Sequence, residues 1–220
     1  MWVLPTRSRP LEAIRAIRSL GDSPIFMMVW NEDPHVHAYK LAEWPSNVEV
    51  YYGPQESVQA KLNWFFHNYP DERFYGFLAD DIVLKKGCLG FLEDLAHKDN
   101  ISYPDDSVWG EDLCTHPCIG GDLVRKMGWW CYPEITHNFF DTFWWVIGEF
   151  QEKLRYVPEV VYDHIHPVTG RVPRDEVYLK GSESKAQDII TFNTWKDGYI
   201  DCLRSQGCEI IEGTPEVKRY

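Results

Sequence analysis

A chain of 220 residues is long enough to bury a sizeable core as one large domain or two small ones, and a hydrophobic fraction of 44% is ordinary for a globular protein. Aromatic residues reach 15%, with 10 Trp, enough for a large core or for flat faces that stack on sugars or bases. A formal net charge of -12 argues against a protein that grips duplex DNA through its phosphates, and no apolar run of about 18 residues supplies a membrane-spanning helix.

Trp2-Val3-Leu4, closed by Pro5, predicts a first strand. Arg9-Pro10 then opens a helix with Leu11, Ile14, Ile17 and Leu20 at helical spacing and Gly21 as its stop. Ile25 to Trp30 is a fully apolar second strand ending at Asn31-Glu32-Asp33-Pro34. A weaker helix over 35–43 follows, then a strand at Val48–Tyr51 and a Gly53-Pro54 turn. Ser57 to Tyr69 predicts a helix with Val58, Leu62, Phe65 and Phe66 inward, and Phe74 to Leu78 the next strand, tipped by Asp80-Asp81. Such alternation predicts a parallel sheet covered on both faces, with the C-terminal strand tips on a common rim where ligands bind.

Asp80-Asp81 is the most informative feature of that rim. Desolvating a carboxylate costs far more than burying Phe or Leu returns, so a buried strand does not finish in a naked pair of them. At an exposed tip the pair is an oxygen site for a hard divalent cation. The competing use is a turn or a helix N-cap, both of which Asp favours.

The second half is less regular. Gly87 to His97 predicts a helix, residues 99–118 a loop rich in Asp, Pro and Ser, Gly120 to Gly128 a short helix and Phe139 to Lys153 a longer one. Val157 to Tyr162 predicts a strand broken at Pro158, residues 167–182 a flexible charged loop, and Ser184 to Ser205 a last helix. Cys88, Cys114, Cys118, Cys131, Cys202 and Cys208 follow no regular framework. With Arg7 and Arg9 where a leader needs its apolar segment, they predict free thiols in a cytoplasmic chain. Cys114-Thr115-His116-Pro117-Cys118 lacks both the C-x2-C spacing and a second half, and is not read as a zinc site.

Three segments together resemble the GT-A-fold glycosyltransferases, especially compact bacterial and bacteriophage members: Pro5-Thr6-Arg7-Ser8-Arg9-Pro10, the DxD-like Ala79-Asp80-Asp81, and Asp163-His164-Ile165-His166-Pro167. The resemblance implies an α/β, GT-A-like Rossmann-type sandwich with a central, mostly parallel sheet flanked by helices. It implies a single domain over residues 1–220, with a nucleotide-binding half (1–98) and an acceptor half (99–220). It implies transfer of a sugar from a nucleotide diphosphate donor, a UDP-sugar favoured, to an acceptor hydroxyl on a saccharide or a modified (hydroxymethylated) DNA base. A diphosphate leaving group needs positive charge that two acids cannot give, so the cofactor expected is Mn²⁺ or Mg²⁺. Asp81 is the expected metal ligand, completed by His164 or His166; the two alternate on an extended segment, so only one faces a given side.

By the same resemblance Pro5, Thr6, Arg7, Arg9, Asp33, Lys61, Asn63 and Asp80 contact the donor, Gly120 and Gly121 let backbone approach the sugar, and Arg171 (with Arg174) closes over the diphosphate. Asp141, at the start of an aromatic helix, is the expected base for an inverting displacement, although an acid in a helix's first turn is also favoured by the dipole alone. Trp129, Trp130, Trp144 and Trp145 either floor an acceptor pocket or fill the core. Two other readings compete. A nucleotidyltransferase would carry a Gly-rich loop with a Lys near the first strand, which this sequence lacks; a non-catalytic nucleotide- or sugar-binding module would keep its affinity without Asp81.

Overall fold

The computed structural model describes residues 1–97 and 99–206. Trp2–Thr6 is β1, and Pro10–Ser19 is α1 with its proline in the first turn, where no N–H partner is lost. The inner face of α1 is Ala13, Ala16 and Ile17, followed by Leu20; Leu11, expected on the same face, is 75% exposed. Ile25–Trp30 is β2, Val36–Leu41 is α2 and Val48–Gly53 is β3. Val58–Asn68 is α3, capped by Ser57, whose hydroxyl accepts from Ala60 N. Phe74–Phe77 is β4.

From here the chain departs from its expected course. Ile82–Lys86 forms β5, a strand not anticipated after the acid pair, and Leu89–Ala96 forms α4. The expected loop over 99–118 holds β6 (Ile101–Asp105), a single 3-10 turn at Gly110–Asp112 and the start of β7 (Cys118–Gly120). Its polar composition hid the strand: Ser102 is fully buried, its hydroxyl donating to Leu92 O and Cys118 O. Gly121–Met127 is α5, stopped by Gly128 at φ 77°, and Phe140–Phe150 is α6. β8 runs over Leu154–His164, longer than expected. Pro158 does not break it; the pairing with β6 shifts from Pro104↔Val157 to Asp105↔Val161, so the proline sits in a bulge where it owes no ladder hydrogen bond. The expected flexible loop contains a 3-10 turn at Pro167–Thr169 and α7 (Glu176–Glu183), capped by Asp175; α8 is Lys185–Ser205. Cys208 lies outside the described residues.

Among the described residues eight strands form one sheet in the order β3-β2-β1-β4-β7-β6-β8-β5. β3, β2, β1 and β4 are mutually parallel, β6 and β8 are parallel to each other, and β7 and β5 run against their neighbours. Both faces are buried. Val3 and Phe26 face one apolar layer while Trp2, Leu4 and Ile25 face the other, as the pleat of a doubly covered sheet requires. Trp2, Trp130 and Trp144 are fully enclosed, so much of the tryptophan content is core. No helix among the described residues is long and apolar enough to cross a membrane.

The strand order positions the site. The chain moves outward from β1 through β2 to β3, then returns to the opposite side of β1 as β4. A crevice opens between the C-terminal ends of the two strands that flank such a reversal. Here those ends carry Thr6 to Arg9 and Asp80-Asp81.

Candidate active site

The two acids have different partners. Asp80 is tied to the β1 rim: one oxygen accepts the Thr6 hydroxyl at 2.7 Å and the other accepts from Arg9 Nη1 at 3.1 Å. Burial and the neighbouring Asp81 push its carboxyl up to about 6, against the pull of Arg9 and Thr6. Arg9 also forks onto Asp175 at the head of α7, with Nε at 2.8 Å and Nη2 at 2.6 Å, and its guanidinium lies 4.3 Å over the Tyr178 ring. Tyr39 Oη locks the turn beneath, bonding Thr6 Oγ1 at 2.9 Å and accepting Arg9 N at 3.0 Å.

Asp81 instead faces imidazoles. Its Oδ2 accepts the Tyr178 hydroxyl at 2.6 Å and lies 3.6 Å from His164 Nε2. Burial pushes this carboxyl up, but the hydrogen bond and charge of His164 outweigh it and hold Asp81 well below the usual carboxylate range. His164 ends β8 and is bonded through Nδ1 to Asp106 Oδ2 at 3.0 Å. Burial draws His164 down, yet the two carboxylates raise it to about 9. His116 is the third member: Asp81, His116 and His164 each offer a ligand atom, all within 4.8 Å of one another. Burial, then the charge of His164, lowers His116 to about 4, so its ring is neutral with a lone pair to give.

These residues fit a divalent cation. Asp81 Oδ1 and His116 Nδ1 are buried with no hydrogen-bond partner among the described residues, an expensive arrangement for a site with nothing to bind. The candidate ligand atoms of the three residues, all within 4.8 Å of one another, are close enough to share one cation.

Other candidates fall around this centre in varied ways. Arg7 lies over the Trp30 ring at 5.5 Å and Pro5 is part of β1. Asp33 fastens the first rim turn to the second, its oxygens accepting Ser8 N at 2.7 Å and His35 N at 2.8 Å. Lys61 is buried, and burial followed by the Arg7 charge lowers its pKa; Asp33 and Asp80 are among the acids that act on it. Arg171 pairs with Asp163 at 2.6 Å and donates to His164 O at 3.0 Å. His166 stays outside the triad, its Nδ1 accepting Val168 N at 3.2 Å. Asp141 heads α6, its carboxyl raised by burial and within electrostatic reach of Asp106.

Three expected donor contacts are not brought to this rim. Asn63 is committed to the core, accepting from Trp130 N and Cys131 N and donating to Cys131 O. Gly120 pairs with Phe74 at the beginning of β4, so it and Gly121 lie at the opposite end of that strand from Asp80-Asp81. A Cβ at Gly121 would run into Glu72 O, which accounts for the glycine without a sugar. Sequence reasoning in turn missed His116, Asp106, Asp175 and Tyr178. His116 lies between Cys114 and Cys118, a segment whose spacing does not match a zinc site and points to no other ligand role. Because β7 runs against β4, the residues preceding β7 lie beside the end of β4: Phe77 N donates to Pro117 O at 3.0 Å, and the Phe77 and His116 rings stack at 6.0 Å.

No protein-family model and no curated protein matches this chain. Solved structures do. The chain is similar to S. aureus TarS with a TM-score of 0.54 and 10% identity, over 73% of this chain and 35% of that one. It is similar to TarS 1-349 in complex with UDP with a TM-score of 0.51 and 10% identity, over 73% of this chain and 56% of that one. The fold is GT-A-like. The chain spans about half the length of TarS 1-349. The glycosyltransferase GlyE of Streptococcus pneumoniae TIGR4 aligns over 58% of the chain at a TM-score of 0.38, too partial a likeness to argue from.

Proposed function

We propose that this chain is a metal-dependent glycosyltransferase that moves a sugar from a nucleoside diphosphate donor, a UDP-sugar before others, to an acceptor hydroxyl. The observation that carries this reading is the Asp81–His116–His164 cluster, in which Asp81 and His116 each keep a buried polar atom with no hydrogen-bond partner among the described residues, on a fold shared with a protein solved with UDP. Residues 1–220 act as one domain in this reading. A carboxylate and two imidazoles suit Mn²⁺ better than Mg²⁺, which prefers oxygen alone. When bound, such an ion offsets the charge on the departing nucleoside diphosphate as a Lewis acid.

The protein's own groups do the rest. Arg9 is held at the rim with its fork on Asp175 and Nη1 on Asp80, and would reach a phosphate by exchanging the half-exposed Asp175 for it. Asp80, fastened through Thr6 and Arg9, sits on the ribose side, with Arg7, Asp33 and Lys61 around the base. Arg171 and Arg174 follow the His164 strand and close over the diphosphate. Asp141 takes the proton of the attacking acceptor hydroxyl in a single inverting displacement, its carboxyl raised by burial toward the range a base needs. The net charge favours a saccharide acceptor over a hydroxymethylated DNA base.

The test is a thermal-shift screen of nucleotide sugars with and without Mn²⁺. A ligand that binds only the folded chain at about 100 times its Kd stabilises it by about 2.7 kcal/mol. A Mn²⁺-dependent rise with one uridine donor, lost in Asp81→Ala, is the expected result. No donor raising the melting temperature under either condition would falsify the proposal.

A further inference from the structure

Asp106 is absent from the sequence expectations and fully buried, and its two oxygens do separate jobs. Oδ1 accepts three backbone N–H groups of the turn after β6: Val108 at 3.1 Å, Trp109 at 2.7 Å and Gly110 at 3.3 Å. That alone secures the turn, and Ser107 Oγ ties it to β8 through Tyr162 O at 2.7 Å. Oδ2 is left over, and it meets His164 Nδ1 at 3.0 Å. An imidazole that gives one N–H to a buried carboxylate presents its other nitrogen as the donor pair for a metal. We propose that Asp106 is a positioning residue: it keeps the proton on His164 Nδ1, so that Nε2, the nitrogen beside Asp81, is the one that ligates. The inference rests on the metal reading of the site.

Two features make the turn an unusually strict orienting device. Since a single oxygen takes all three backbone donors, the carboxylate cannot rotate without orphaning them. Asp81 is treated in the same way, one oxygen held by Tyr178 and the other free. His164 is anchored through Nδ1 with Nε2 beside Asp81, and Asp81 is anchored through Oδ2 with Oδ1 unpartnered among the described residues.

The isosteric variant Asp106→Asn discriminates, because its amide can be seated only one way. The oxygen must replace Oδ1 under the three N–H donors, so the NH₂ group points at His164 Nδ1 and forces the ring proton onto Nε2. Mn²⁺ affinity is measured by calorimetry and by electron paramagnetic resonance of free Mn²⁺ for wild type, Asp106→Asn, His164→Ala and the double variant, with folding checked by thermal melts. The expected result is a 10- to 100-fold loss for Asp106→Asn, approaching that of His164→Ala, and no further loss in the double variant. Wild-type affinity in Asp106→Asn, or additive losses in the double variant, overturns the inference while leaving the metal site standing. Unchanged affinity in His164→Ala and Asp81→Ala overturns the metal reading and this inference with it. Should Asp106→Asn fail to fold, ¹⁵N NMR of the wild-type histidines with diamagnetic Zn²⁺ decides: a protonated Nδ1 and a metallated Nε2 on His164 support the assignment, and a metallated Nδ1 refutes it.

Discussion

His116→Phe separates the cost of the site from its use. His116 is 5% exposed, its Nδ1 has no partner among the described residues, and its ring is stacked on Phe77 and edge-on to His164 at 4.9 Å. A buried unsatisfied polar atom costs about 1–3 kcal/mol. Phenylalanine keeps the stack on Phe77 and removes that cost. Its slightly larger ring takes back roughly 1 kcal/mol against Tyr162 and His164. The net expectation for the metal-free protein is a gain of about 1 kcal/mol, or about 2–4 °C in Tm for a chain of this length. The response to Mn²⁺ should move the other way, because one of three ligands has gone. Differential scanning fluorimetry with and without Mn²⁺ reads both numbers from one variant. A full Mn²⁺ response in His116→Phe refutes the role given to this ring. Destabilisation by several kcal/mol without metal refutes the claim that the buried nitrogen is a cost borne for binding.

Asp141→Asn keeps the shape of the α6 start while removing the base, so turnover should fall about 10²- to 10⁴-fold with donor affinity unchanged, and anomeric analysis of the wild-type product should show inversion. Arg9→Lys loses the fork onto Asp175 and the contact to Asp80 together, so the KM for the donor should rise more than kcat falls. Asp188, fully buried, accepts Thr136, His137 and Asn138 N–H groups and the Ser184 hydroxyl; Asp188→Ala strands those donors and should cost about 1–3 kcal/mol for each one left dry, read by urea unfolding. Burial raises the Asp188 pKa, but these bonds outweigh it and leave it lowered. Its contribution to stability is thus present above about pH 4 and is lost as acid takes the pH down through the folded value, a loss the alanine variant should not show.

The first half of the fold was legible because each strand and helix there carries its own local pattern. β2 is an unbroken apolar run, α3 opens at a capping serine, and β4 stops at two acids. What could not be read was pairing. β6 looked like a loop because Ser102 and Pro104 are strand residues only between β7 and β8, and β8 looked broken because a proline is tolerated at a bulge that its neighbour creates. The same limit applied to the site. Asp80, Asp81 and His164 stand at the ends of strands, where a rim can be inferred from the sequence of elements alone. His116 and Asp106 come before β7 and after β6, and they reach the rim only because β7 is reversed and β6 lies beside β8. The same reversal carries Gly120 and Gly121 to the far end of β4.

Charge explains why donor binding should wait for the cation. Asp80, Asp81, Asp106 and Asp175 form one connected cluster with Arg9 and His164. At pH 7 Asp81 and Asp106 are held ionised, Asp80 at about 6 is mostly so, and His164 at about 9 is charged. Four carboxylates against these two cations leave an excess of about two negative charges, with Asp80, Asp81 and Asp106 buried, where Coulomb terms are weakly screened, and Asp175 half-exposed. A diphosphate arriving first would meet repulsion from the acids and find Arg9 already claimed by two of them. A divalent ion held by Asp81, His116 and His164, the last giving up its Nε2 proton, would offset part of that excess and offer the phosphate oxygens a positive partner. In the proposed function, ion before nucleotide is the expected order of addition, and UDP should show little affinity for the chain in the presence of a chelator.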